Sequence, residues 1–184
     1  MKEFFFKSTK RLVGLIILAL LLINVIGYLF DFKYISVMAA VAQVDKYQIR
    51  SELLMEAMDD VGACCSKDAA DVWASGLKKR SAALQYSVMT KALKKEYASQ
   101  LDKVFPNWVT GVSSPWVESY TITKCDRISA NTYKYEIEFV TKTSAGPAGN
   151  YDATLTIIKE DSYYRISKIE QDKELYVYTG YTAK

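Results

Sequence analysis

The chain has 184 residues with 24 basic and 21 acidic side chains, and it has no histidine. Without an imidazole it lacks the commonest general base and metal ligand, which excludes a Ser-His-Asp triad and every histidine-containing zinc motif. Residues 1–11 hold four of the bases and one acid, so residues 12–184 carry 20 of each; such a neutral stretch lacks the basic footprint of a nucleic-acid binder, and no nucleic-acid partner is expected.

Leu12 to Phe30, LVGLIILALLLINVIGYLF, runs without a charge. As a helix it covers roughly 28 Å, close to the hydrocarbon thickness of a bilayer. Asn24 is its one strongly polar residue and suits a helix–helix contact, and Tyr28 sits where an interfacial aromatic belongs. Lys2, Lys7, Lys10 and Arg11 precede the run against Glu3 alone, whereas Asp31 and Lys33 cancel after it. The positive-inside rule therefore predicts a cytoplasmic stub at 1–11, a transmembrane helix at 12–30, and an extracytoplasmic remainder in a single-pass membrane protein. A cleaved signal peptide is the rival, with Ala40-Val41-Ala42 as a small-x-small site. The apolar run exceeds the usual 7–15 residue signal core, which favours an uncleaved anchor.

Residues 31–65 read as a helical stalk or linker. Ile49, Leu53, Met55, Glu56 and Met58 mix apolar and polar positions without Gly or Pro, and the first glycine after the anchor is Gly62. The segment either prolongs the anchor helix or packs on the domain. Asp68 or Ser66 can cap a following helix whose apolar stripe is Ala69, Val72, Trp73, Gly76 and Leu77, ending near Arg80. A short helical turn passes through Leu84, Tyr86 and Val88. Thr90 caps a further helix with Leu93, Tyr97, Leu101 and Val104 on one face, Lys94, Lys95 and Glu96 toward water, and Pro106 at its close.

Beyond residue 106 the period becomes two. Trp116, Glu118 and Tyr120 alternate with Val117, Ser119 and Thr121. Residues 131–143 place Tyr133, Tyr135, Ile137 and Phe139 on one face and Lys134, Glu136 and Glu138 on the other, as a half-buried antiparallel strand does. Residues 144–149 read as a hairpin loop, and Tyr151, Ala153, Leu155 and Ile157 carry the return strand. Residues 160–162 make a tighter turn into a fourth strand from Tyr163 to Ile169, and Leu175 to Thr179 suits a short edge piece. Helices followed by a strand meander predict an α+β domain at 66–184, with helices on a curved antiparallel sheet of about four strands.

The stretch Ala70-Asp71-Val72-Trp73-Ala74-Ser75-Gly76-Leu77, then Leu84-Gln85-Tyr86-Ser87-Val88, Ser113-Ser114-Pro115-Trp116-Val117 and Tyr163-Tyr164-Arg165-Ile166-Ser167-Lys168-Ile169 resemble the NTF2-like superfamily. The version resembled is the one that bacteria attach to membrane anchors, including surface-protein and type IV secretion scaffold modules. The resemblance spans roughly residues 66–171 and implies a cone of helices on a curved sheet. Its enzymes place acid/base residues inside the cone, often Asp with Tyr or His. Here Asp71, Asp126, Asp152 and Asp161 fall at helix starts, turns or polar strand faces, so no catalytic residue carries over.

Three candidate features remain. Tyr133, Tyr135, Tyr151 and Tyr164, with Trp73, Trp108 and Trp116, either line a ligand-holding concave face or fill the cone as packing. Trp108 and Trp116 also bracket a Gly/Ser/Pro loop that suits an interface. Cys64, Cys65 and Cys125 leave at least one thiol unpaired; they read as small buried residues, the alternative being one bridge from Cys64 or Cys65 to Cys125. Three sulfurs make a poor zinc site, so no metal and no cofactor is expected. The functional expectation is a non-catalytic, membrane-tethered binding or scaffold module with a protein partner or self-association at the cell surface. The alternative is a small-ligand carrier or an isomerase-like or hydratase-like enzyme using the aromatic cone.

Overall fold

The computed structural model describes residues 46–111 and 113–183, together with Leu22, Val25 and Ile26. The chain divides into a unit through Leu54 and a unit from Met55 onward. Among the described residues no helix is long and apolar enough to cross a membrane. Apart from Leu22, Val25 and Ile26, the apolar segment 12–30, with Asn24 and Tyr28, lies outside the described residues, as does the Ala40-Val41-Ala42 motif.

Residues 46–60 are helical (α1), and Met55 and Met58 near the end of α1 pack against the core of the second unit. Helix α2 (Ser66–Lys78) follows, with the Cys65 sulfur as its cap, accepting from the Asp68 amide at 3.4 Å. The cap is thus one residue ahead of Ser66 and three ahead of Asp68, the two expected caps, because Ser66 is turned inward to the sheet. Lys79 leaves the helix and Arg80 takes a left-handed φ of 56°, which stops it slightly before the expected end. Helices α3 (Ala82–Ser87) and α4 (Lys91–Val104) are capped by the hydroxyls of Ser81 and Thr90.

Four strands form one antiparallel sheet in the order β1 (Trp116–Ser129), β2 (Thr132–Thr143), β3 (Gly146–Glu160) and β4 (Tyr163–Gln171). The expected alternation holds on β2, where Tyr135, Ile137 and Phe139 are buried, and on β3, where Ala153, Leu155 and Ile157 are buried. The β2–β3 loop is shorter than expected: Thr143 already pairs with Gly146, so Ser144 and Ala145 alone make the turn and Gly146–Gly149 belong to the strand. On β1 the register skips Glu118, Thr123 and Ile128, each a bulge that bends the strand. The first bulge breaks the simple alternation, so Val117 and Tyr120 both turn toward the core. Leu175 to Thr179 is not an edge strand. A 3₁₀ turn (Lys173–Leu175) runs into helix α5 (Tyr176–Thr179), and Gly180 ends it at φ 63°.

Helix α2 crosses the inner face and meets all four strands, α4 packs on β4, and α3 bridges α2 and α4. Gly76 permits the α2–α3 approach, since a Cβ there would lie 2.7 Å from Gln85 Cγ and 3.1 Å from the Ser81 carbonyl. Trp73, Leu77, Phe139, Leu155 and Ile157 between these layers are fully buried, each worth about 1.5–3 kcal/mol relative to exposure.

Candidate functional site

The seven candidate aromatics occupy separate places along the sheet. Trp73 stands in the middle of the core, its ring edge-on to Phe139 at 5.9 Å, with Nε1 buried and without a hydrogen-bond partner. Tyr133 and Tyr164 meet edge-on at 5.9 Å where β2 begins and β4 begins, under the cations of Arg127 and Lys159. Tyr135 lies one register step further in, and Tyr151 lies toward the opposite end of the sheet, paired with Phe139. Trp108 is held in a left-handed conformation (φ 59°), tilts at 54° against the Tyr86 ring with centroids 5.1 Å apart, and donates from Nε1 to Asp102 at 3.2 Å. Trp116 donates from its indole to Glu118 at 3.0 Å at the start of β1. The structure thus brings Tyr133, Tyr135 and Tyr164 to one end of the sheet and leaves Trp108, Trp116 and Tyr151 elsewhere.

That end, where α1 leads into α2, holds Ser66 and the two buried cations Lys94 and Arg165. The Tyr135 hydroxyl lies 2.9 Å from Ser66 Oγ. Its pKa is pushed up to about 12, chiefly by burial, then by the hydrogen bond with Cys125 and the charges of Cys125 and Cys65, against the opposing bond to Ser66. The three cysteines are exposed free thiols, which overturns the expectation of buried core residues. Cys65 is outside because it caps α2, and Cys125 lies on β1, the border strand of the sheet.

Beside this lies a cluster that strand and helix periodicity did not mark. Lys94, expected in solvent, is 1% exposed. Its Nζ donates to the Met58 carbonyl at 2.6 Å and to Asp59 Oδ1 at 2.8 Å, and sits 4.9 Å from the Tyr86 ring centroid. Arg165, 2% exposed, donates from Nη2 to the Asp59 carbonyl at 2.7 Å and lies 3.6 Å from Glu160. Met58 and Asp59 are in the last turn of α1, so two cations hold the carbonyl end of that helix, where its dipole is negative. Burial pushes the Lys94 pKa down despite the opposing pull of Asp59, and burial followed by the Asp59 charge pushes the Tyr86 pKa up. One signal for Lys94 was present in the sequence: it stands three residues before Tyr97 and seven before Leu101, on the face that α4 buries.

Further along the same buried face of α4, Tyr97 donates to Gln85 Oε1 at 3.0 Å, and Gln85 donates to the Tyr178 carbonyl at 3.0 Å. Burial raises the Tyr97 pKa strongly. Open grooves lie outside these clusters. One of about 410 Å³ is lined by Gln171, Lys173, Tyr176, Tyr181, Thr182 and Ala183. Another of about 300 Å³ lies between α2 and β1, with Asp71, Ser75, Lys79 and Tyr120 among its walls. Among the described residues no Asp or Glu is buried as a whole, although Glu160 Oε2 is a buried oxygen 3.6 Å from Arg165 Nε, and no group of three potential ligands is placed to hold a metal ion.

The described structure defines the class as an α+β domain, with helices on one face of a four-stranded antiparallel sheet. No family model and no curated protein matches the chain. Among solved structures it is similar to an NTF2-like protein of unknown function from Shewanella oneidensis, at 10% identity and a TM-score of 0.42, over 56% of this chain and 93% of that one. It is similar to a protein of unknown function with a cystatin-like fold from Nostoc punctiforme, at 11% identity and a TM-score of 0.38, over 58% of this chain and 88% of that one. A protein of unknown function from Mycobacterium tuberculosis has 12% identity and a TM-score of 0.38, over 58% of this chain and 73% of that one.

Proposed function

We propose that this chain is a single-pass membrane protein whose C-terminal domain is an NTF2-like cone acting outside the cytoplasm as a non-catalytic binding or scaffold module. The partner is a protein at the cell surface or a second copy of the chain, and a conjugation or type IV secretion channel is the more specific setting. The observation that carries the binding reading is the filled interior. Trp73, Tyr97, Phe139, Leu155 and Ile157 have no exposed surface, and the buried polar residues among those described carry hydroxyls, one amide and two cations, the buried carboxylate oxygen Glu160 Oε2 lying against Arg165. Acid/base chemistry inside a cone requires a positioned proton acceptor of suitable pKa. The membrane and orientation readings rest on the uncharged run Leu12 to Phe30 and its basic flank.

The test has two arms. In membranes from cells expressing the full chain, the protein should resist alkaline carbonate extraction, and protease added outside should remove the domain. Recovery in the soluble fraction, or a protected domain, overturns the localisation. Chemical cross-linking should yield discrete oligomers or partner adducts that disappear when the outward sheet face is altered by Glu138→Arg with Thr154→Arg. Unchanged adducts overturn the sheet-face reading. The small-ligand reading draws support from one observation, the buried and unpartnered Nε1 of Trp73 with Thr110 Oγ1. An indole fluorescence change on adding a small apolar ligand, lost in Trp73→Phe, would favour it.

A further inference from the structure

The end of the sheet that gathers Tyr133, Tyr135 and Tyr164 also gathers thiols on two separate elements. Cys65 is the cap of α2, and the residue after it, Ser66, holds the Tyr135 hydroxyl at 2.9 Å. Cys125 is on β1, directly opposite Tyr135 in the β1–β2 register and therefore on the same, helix-facing side of the sheet. Both sulfurs are free and exposed. One tyrosine side chain thus reaches from β2, where it is the cross-strand neighbour of one thiol residue, to the helix start that carries the other. Cys64 is exposed as well, but it is a residue further from this contact, beside Ala63, which pairs with Tyr164 on β4.

We propose that Cys65 and Cys125 are a dithiol pair that closes to a disulfide, latching the start of α2 to the far end of β1. The bridge needs Cα atoms within about 7 Å, and the exposed turn before α2 is the segment that adjusts to reach it. The oxidant is a disulfide of low molecular weight or a thiol–disulfide oxidoreductase. One thiolate attacks a sulfur of the oxidant and displaces its first thiol, giving a mixed disulfide. The second thiolate then attacks the protein sulfur of that mixed disulfide and releases the second thiol. The two cysteines lose two electrons and two protons, and the oxidant leaves as two thiols. The closed loop would enclose α2, α3 and α4, so the bridge restricts a long stretch of the unfolded chain.

The experiment uses the full chain in detergent, incubated with oxidised glutathione, quenched with N-ethylmaleimide and digested without reduction for mass spectrometry. The expected result is a peptide pair joined through Cys65 and Cys125, maleimide on Cys64 alone, and a thermal midpoint raised above that of the reduced protein. Cys64→Ser should retain the bridge, and Cys65→Ser and Cys125→Ser should each lose it and with it the oxidant-dependent rise. Serine keeps the helix cap, so a folded Cys65→Ser protein is expected by circular dichroism. Alkylation of all three thiols after oxidation, a bridge to Cys64, persistent glutathione adducts, or a disulfide between two chains would each overturn the proposal.

Discussion

The clamp on the end of α1 predicts an unequal response to removal of its two charged partners. Lys94 is the buried member and Asp59 the wetter one, with side chains 2% and 36% exposed. Because burial lowers the Lys94 pKa even with Asp59 beside it, the fold accommodates the ammonium less well than water does. Lys94→Met keeps the aliphatic stem, removes that desolvation cost and leaves Asp59 to water, so the expected loss is within about 1 kcal/mol. Asp59→Ala instead leaves a buried ammonium with the Met58 carbonyl as its remaining hydrogen-bond partner. Breaking a fully buried pair costs about 3–5 kcal/mol, and the partial exposure of Asp59 reduces this to about 2–3 kcal/mol. At roughly 2.1 cal/mol/K per residue, a unit spanning Met55–Lys184 should lose about 7–11 °C of Tm for Asp59→Ala and less than about 4 °C for Lys94→Met. The assay is thermal unfolding of the detergent-solubilised full chain by near-UV circular dichroism, with the double variant closing the cycle. If Lys94→Met is the more damaging change, or if the two losses simply add, the burial argument is wrong.

Other outcomes follow from the same geometry. Tyr135, with its pKa pushed up to about 12, contributes stability that is fully present below about pH 10 and is lost as pH rises through 12. About 1–3 kcal/mol should disappear over that window, less in Tyr135→Phe, in urea titrations at stepped pH. Lys94 has the opposite sign: its lowered pKa means a cost present at lower pH that is relieved as pH approaches 10.5, and Lys94→Met should flatten that part of the curve. Gly76→Ala gains helix propensity but drives a methyl into Gln85, for a net loss of about 1–3 kcal/mol in chemical denaturation. Tyr97→Phe strands the Gln85 carbonyl oxygen in the core and should cost about 1–3 kcal/mol, part of it recovered by Gln85→Leu in the same chain.

The parts of the fold readable from sequence are those with a complete period. β2 and β3 alternate without interruption across their cores, and the helix starts at Ser81 and Thr90 carry hydroxyls that can reach the next amides. Legibility fails where tertiary contacts override the local pattern. The skipped residues of β1 depend on how a neighbouring strand lies, which no single strand encodes. Cys65 caps α2 because the Tyr135 hydroxyl engages Ser66 from a strand far along the chain. Lys94 looked solvated because a charge on an amphipathic helix usually is, and its partners come from α1, whose docking leaves no mark in the α4 sequence. Of the aromatic candidates, Trp73 and Tyr135 are buried and Trp108, Tyr133, Tyr151 and Tyr164 pack partly against the core. Their separation into different parts of the sheet depends on strand register, which composition does not contain.

The two borders of the sheet constrain how anything can approach it. β4 already accepts backbone pairing from Ala63 and Met89, and β1 is interrupted at Glu118, Thr123 and Ile128. An incoming extended peptide would meet an occupied border on one side and a crooked one on the other, so strand addition, the usual route to fibrils and to peptide capture, is disfavoured at both. A protein held at high local density can therefore expose a long β-sheet without templating its neighbours. A partner of the kind proposed would engage side chains on the open face or the grooves, where specificity comes from chemistry rather than from shared backbone hydrogen bonds.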